Sequence, residues 1–376
     1  PNRLSEWSAR GELLRQWIPP QIEAVRGAVA FDRDDPDHVY VLTNSPSGLV
    51  RYRVNYDDGQ WMPDAVWPDV CHKGDVWPGG YSRAEIINYG GRKYLAFASR
   101  LRAKYGIILY RMDGQRWLAS AAFIPSADSR GTEGWWWHDA NGDGQLHDAE
   151  YADHPARLPT RPRYWGEKWL DDLSFVLLEK GADARQAWRL APRDFDEHGN
   201  PIFHGDDWQV LVTDPVFEAK AAGKATALFG GNEVATGFAS DWSQIDAEPG
   251  GDVYMHIRGG PNFNANMGAQ AKVCRYVPDG EGGFQLKWRV GRVPRGLPGP
   301  GELLGAMLIY HPTAGLLGVQ DASWATYHVF TDEGLFVEDI FPGTRRYGRE
   351  RFGAYGQPGE HFQNGYHFVR DGKVYV

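Results

Sequence analysis

One phrase recurs along this chain and limits what it can fold into: an apolar or aromatic run, a glycine-containing turn, then a second run carrying aromatic residues. Residues 49–54, the turn at Asp58-Gly59 and 60–67 form one instance, and 107–112, Asp113-Gly114 and 116–123 the next. A third joins 187–190 to His198-Gly199 and 200–203, a fourth joins 273–277 to Asp279-Gly280 and 284–290, and a fifth joins 326–330 to Gly334 and 335–341. Asp-Gly supplies the positive φ that a tight hairpin turn needs, and β-branched and aromatic side chains fit a pleated, half-buried surface. Each instance therefore reads as a β-hairpin. From Gly59 to Gly334 the turns fall about 50 to 85 residues apart, longer than a bare repeat requires, which leaves room for inserted loops.

Two more strand-like pieces precede each hairpin, as 84–88 and 92–98 precede the one at Gly114, so each unit predicts four antiparallel strands. Radial repetition of such sheets leaves only short, protected edges. The chain is expected to be all-β, a six-bladed β-propeller of four-stranded antiparallel blades and a single domain over 1–376. Seven blades is the alternative, because 205–231 is long enough to hold further strands. Five blades centre on 24–67, 78–124, 164–204, 232–292 and 303–342. The sixth is composite: 362–376, with the turn at Asp371-Gly372, offers two inner strands, and 4–18 offers an outer pair, so that the two ends would close the ring in one blade.

Composition agrees with many short strands, since 46 Gly and 24 Pro supply turns while 16 Trp, 18 Tyr and 17 Phe supply bulk to bury. A formal net charge of −9, with basic residues only in interrupted groups such as Arg345-Arg346, argues against a nucleic-acid surface. No apolar run is long enough to cross a membrane as a helix. Cys71 and Cys274 lie far apart in sequence and in no metal-binding spacing, so a disulfide and two thiols are both open.

The sharpest local signal is the segment from Asp139 to Glu150, which matches the calcium-loop pattern D-x-[DN]-x-[DN]-G-x5-E at every specified position. Calcium takes hard oxygen ligands, and acidic or amide side chains on alternate loop positions supply them while the sixth-position glycine makes the sharp turn. Asp139, Asn141, Asp143, the Gln145 carbonyl and Glu150 are the expected ligands, with a water at His147. The flanks differ from the two helices of an EF-hand, because Trp135-Trp136-Trp137-His138 is strand-like and only the exit after Asp148 could be helical. An EF-hand-like loop on a β scaffold is expected to be a structural staple, inserted as 135–155 between the second and third blades. Calcium loops of this kind are often weak, which points to an exported protein, extracellular or periplasmic.

The Asp-Gly hairpins, the Asp-Ala-Asn-Gly-Asp-Gly insertion and the phrase from Arg193 to Pro201 together make the chain resemble the NHL-repeat type of six-bladed propeller found in large exported bacterial proteins. The resemblance covers nearly the whole chain. Propellers of that kind include binding modules, lactonases and polysaccharide lyases, so it implies a fold more firmly than a reaction. It also implies that loops at one face form a channel mouth for ligands. Trp165, Asn232, Glu233, Asn262, Trp324 and Gln363 would gather there as ligand-binding residues. His72, Arg83 and His361 are the candidates for chemistry, the histidines because imidazole titrates near neutral pH. In the lactonases a channel metal is held by Glu, Asn and Asp, a role that Glu85, Asn88, Glu167 and Asp241 could fill here.

Three functions follow from these readings, the last of them a scaffold subunit of a larger complex. The first is a non-catalytic, calcium-stabilised module that binds a glycan or a protein partner at the channel mouth, as part of a longer chain or larger complex. The second is a metal-dependent hydrolase or lyase acting on a lactone or a uronic-acid polysaccharide. The three consecutive tryptophans are expected to be buried between blades, with Trp135 and Trp137 on one face and Trp136 on the other; a sugar-stacking platform is the alternative. His256 and His328, in strand-like runs, are expected to be interior.

Overall fold

The computed structural model describes residues 4–7, 13–17, 29–42, 48–70, 81–99, 107–126, 132–160, 167–179, 186–213, 245–248, 251–257, 272–291, 303, 306–321, 326–340 and 368–375. Strands β1 (Leu4–Trp7) and β2 (Leu13–Trp17) open the chain. A first four-stranded sheet follows from β3 (Val29–Asp32), β4 (Asp35–Leu42), β5 (Leu49–Val54) and β6 (Trp61–Trp67). The next begins with β7 (Tyr81–Tyr89), β8 (Arg92–Ser99), β9 (Ile107–Asp113) and β10 (Arg116–Pro125). It is then extended outward by β11 (Glu133–His138) and β12 (Ala156–Arg157), giving six strands in place of four.

The third sheet holds β13 (Glu167–Trp169), β14 (Phe175–Leu178) and β15 (Gln186–Leu190), but its outer strand is not the expected one. The segment around His198-Gly199 forms a separate two-stranded hairpin, β16 (Asp194–Phe195) and β17 (Pro201–Ile202). The fourth strand is β18 (Gln209–Thr213), paired to β15, so this sheet ends beyond residue 204 and its outer strand lies inside the stretch considered for a seventh blade. The fourth sheet runs β19 (Ile245–Ala247), β20 (Val253–Ile257), β21 (Lys272–Pro278) and β22 (Phe284–Gly291). The fifth runs β23 (Ala306–Thr313), β24 (Leu316–Asp321), β25 (Thr326–Thr331) and β26 (Phe336–Ile340). Finally β27 (Phe368–Arg370) and β28 (Lys373–Tyr375) pair with the first two strands in the order β2-β1-β28-β27, with Glu6 opposite Tyr375 and Trp7 opposite Val374.

The architecture is an all-β propeller of small antiparallel sheets. Among the described residues five sheets have the four-stranded form where six were expected, the second being the six-stranded exception. First strands meet around the centre: β3 touches β7, β13 touches β19, and β19 touches β23. Middle strands pack on both faces, which is why β14 and most of β9 are continuous apolar runs without a polar alternation. Outer strands such as β6 and β22 face water along most of their length.

Apolar side chains fill the seams between neighbouring sheets. Leu42 and Tyr40 meet Phe97 and Trp137 at the first seam, and Phe123 and Trp136 meet Trp169 and Phe175 at the second. Val176 and Leu178 meet Met255 and Cys274 at the third, and Tyr254 meets Leu317 and Phe330 at the fourth. Phe368 and Tyr375 pack against Val39, Val41 and Tyr52, joining the composite sheet to the first.

Candidate metal centre

Strand β11 lies in register on β10, with Ala121 opposite His138, so the chain leaves the second sheet at the point where the acidic loop begins. The Asp139 N–H donates to the Ser120 carbonyl at 3.0 Å and fixes the first loop residue on the sheet. Three side-chain oxygens then accept backbone N–H groups further along the loop. Asp139 Oδ1 takes Gly144 at 2.9 Å, Asn141 Oδ1 takes Asp143 at 2.9 Å, and Asp143 Oδ1 takes Gln145 at 2.7 Å. The exit is a single 3-10 turn, Asp148–Glu150, which returns Glu150 to the start of the loop. There Glu150 Oε1 accepts the Asn141 N–H at 3.1 Å and Oε2 accepts the Trp137 indole N–H at 3.0 Å. Gly144 has φ +74°, and a Cβ there would stand 2.9 Å from Leu118 Cβ, so the sixth position needs glycine for conformation and for space.

Arg111 and His147 sit against two of these carboxylates. Arg111, buried at the end of β9, reaches Asp139 Oδ2 at 3.3 Å and donates to the Gly142 carbonyl at 2.9 Å. His147 pairs with Asp143 across 2.9 Å at the loop surface. Burial pushes the Asp139 carboxyl above its ordinary range, while the hydrogen bond from His147 and the Gln145 N–H hold Asp143 below it and the same pair raises His147. Among the described residues no three His, Cys, Asp or Glu side chains converge as a ready metal-holding group. The carboxylates instead meet the loop's own N–H groups, Arg111 and His147. The donor set itself fits an oxygen-coordinated divalent ion: buried Asp139 and Glu150, with Asn141 and Asp143, occupy alternate and closing positions of one folded loop, each oxygen retaining a second lone pair.

The loop is also tied to a part of the chain far away in sequence. Asn200, in the β16–β17 hairpin, donates to the Asp139 carbonyl at 2.5 Å and to Asp196 Oδ2 at 3.0 Å. Its own Oδ1 accepts Arg111 Nε at 2.9 Å and the Ser120 hydroxyl at 2.7 Å. Tyr94 donates to the Gly199 carbonyl at 2.7 Å, and Tyr89 stacks on Phe195 at 5.3 Å. A hairpin that belongs by sequence to the third sheet is thus fastened onto the second, over the loop. Arg111, Ser120 and Asn200 were not singled out from sequence; the one available signal was the Asp196-Glu-His-Gly-Asn200 turn, whose Asp196 Oδ1 accepts the Asn200 N–H at 2.8 Å.

The remaining candidates divide sharply. His72, His361, Trp165, Asn232, Glu233, Asn262, Trp324, Gln363 and Asp241 lie outside the described residues, and Arg83 is described only as backbone within β7. Glu85 on β7 and Glu167 on β13 are buried on first strands of adjacent sheets. Asn88 donates to Asp32 at 2.8 Å, bridging the second sheet to the first. Lys168 forms a buried ion pair with Asp246 from β13 to β19. Two of the three tryptophans follow the inter-blade reading, Trp137 filling the first seam and Trp136 the second, whereas Trp135, also expected between blades, is 36% exposed. His256 and His328 are buried as expected. No helix among the described residues is long and apolar enough to cross a membrane.

No protein-family model matches the chain, and no curated protein matches it. Among solved structures, a functionally unknown protein from Desulfotomaculum acetoxidans is 11% identical, with a TM-score of 0.50 over 90% of this chain and 92% of that one. The periplasmic gluconolactonase of Pseudomonas aeruginosa is 12% identical, with a TM-score of 0.48 over 91% and 96% of the two chains. An α-L-arabinanase from Penicillium chrysogenum is 12% identical, with a TM-score of 0.42 over 91% and 87%. At such identities the likeness concerns the fold alone.

Proposed function

We propose that this chain is a propeller module whose 139–150 loop holds a structural calcium ion, and that the ion fastens the second blade to the hairpin of the third. The six-stranded sheet then counts as the second of six blades, carrying the loop as its insertion, in a propeller of the NHL-like kind. The observation that carries this reading is the pair of ties on Asp139: its carboxylate folds the loop, and its carbonyl is held by Asn200 from the other blade. Calcium bound there would supply charge neutralisation and cross-linking, and the residues that would hold it are Asp139, Asn141, Asp143, Gln145 through its carbonyl, and Glu150. A staple of this kind serves a rigid platform, so binding a glycan or protein partner at the channel mouth is the function proposed, in an extracellular or periplasmic setting where calcium is plentiful.

A second reading is favoured by one specific observation, the burial of Glu85 and Glu167 on first strands of adjacent sheets. Carboxylates on innermost strands would suit hydrolysis or lysis of a lactone or uronic-acid polymer if they face a channel. Metal content of protein purified without chelator, with thermal melting before and after EDTA, tests the first reading. One ion per chain, lost in Asp143→Ala together with several degrees of melting temperature, supports it; a metal-free protein indifferent to EDTA sinks it. Turnover of lactones or uronate polymers that disappears in Glu85→Gln and Glu167→Gln would move the conclusion to the enzyme.

A further inference from the structure

We infer that Arg111 sets the divalent-cation affinity of the 139–150 loop and holds it weak, an inference that rests on reading this loop as a metal site. The guanidinium is permanently charged and 4% exposed, and it cannot swing away into water. Its Nε is held by Asn200 at 2.9 Å, one terminal nitrogen by the Gly142 carbonyl at 2.9 Å, and the other faces Asp113 at 3.4 Å. These anchors keep the charge 3.3 Å from Asp139 Oδ2, on the carboxylate that opens the ligand set. An ion held by Asp139 therefore shares that carboxylate with a fixed positive group.

Charge arithmetic decides the sign. A divalent ion about 5 Å from a fixed unit charge loses about tenfold in affinity at a water-like effective dielectric constant, and more at a lower one. Asp113 opposes this effect. Its side chain is 63% exposed and pairs with the far side of the guanidinium, partly cancelling the field that reaches Asp139. Arginine is also a scaffold here, through Gly142 and Asn200, and a purely structural role would make its removal weaken binding instead. The two roles therefore predict opposite signs.

Calcium chloride titrated by calorimetry, with terbium luminescence excited through tryptophan as a second readout, separates them in wild type, Arg111→Gln and Asp113→Asn. Arg111→Gln is expected to bind about tenfold tighter or more, and Asp113→Asn a few-fold weaker, on the same charge argument. Asp113 is at the surface and outside the loop, so its variant keeps the test open if Arg111→Gln does not fold. Weaker binding in Arg111→Gln, or unchanged binding in Asp113→Asn, overturns the inference while leaving the metal loop standing. Failure of both ions to bind any of the three proteins overturns the metal reading itself, and the inference with it.

Discussion

Gly144 concentrates the chemistry of the loop in one position. It sits at φ +74°, gives its N–H to Asp139 and lies against Leu118, so Gly144→Ala is expected to cost about 1–3 kcal/mol through strain and crowding together. Urea unfolding would measure it, and Gly91→Ala, with φ +76° and open space around it, isolates the conformational part. Asp64 provides a residue-scale test on pH. Burial raises its pKa, but two hydrogen bonds and the charge of Arg51, with His38 alongside, outweigh this and hold the carboxyl below its usual range. A depressed carboxyl stabilises the fold above its unfolded pKa near ~3.9 and loses that contribution as pH falls through the folded value. Asp64→Asn should therefore cost about 1 kcal/mol at neutral pH, with the gap to wild type closing in acid; a gap independent of pH would refute the charge account. At this scale the turns of the 139–150 loop were legible because twelve consecutive residues encode them. Arg111 and Asn200, 28 and 61 residues from Asp139, were not, because only packing brings them there.

At the scale of the element, hairpins closed by Asp-Gly were readable because the turn residue and the flanking alternation agree. The third sheet misled for the same reason. His198-Gly199 does make a turn, with Gly199 at φ +84°, but it closes a docking hairpin, and the outer strand β18 carries no comparable glycine signal. The triple tryptophan behaves as strand alternation requires, since Trp136 and Trp137 fill opposite seams. Trp136, tilted on Phe203 at 4.8 Å and edge-on to Phe123 at 5.4 Å, should cost about 3–5 kcal/mol when replaced by Ala. Trp135→Ala, at the exposed edge of β11, should cost well under that, about 1 kcal/mol or less. Chemical denaturation distinguishes the two, and equal costs would contradict the assignment of Trp136 to the seam.

For the whole molecule, closure by the two ends was foreseen from their being half-blades, and the pairing of β1 with β28 is the structural counterpart. Side chains reinforce it: Phe368 stacks on Tyr375 at 5.5 Å, Tyr375 meets Tyr56 edge-on at 5.0 Å, and Arg370 lies 4.0 Å over the Tyr56 ring while pairing with Asp37 at 3.1 Å. Tyr375→Ala removes a nearly buried ring from this seam and should cost about 2–4 kcal/mol, with melting lowered by several degrees. Deleting 368–375 should leave β1 and β2 without their partners and yield an aggregation-prone chain; a soluble, cooperatively melting deletion would contradict ring closure. The residues expected at the channel mouth were far less legible, because no period or motif in the sequence marks them, and they lie outside the described residues.

The measurement that bears most directly on the central claim is amide hydrogen exchange of the intact protein with and without calcium. If the ion fastens two blades, slowing should appear together in 139–150 and in the 194–202 hairpin, and Asn200→Ala should retain it in the loop while losing it in the hairpin. Calcium that slows exchange in the loop alone, or nowhere, would contradict the staple.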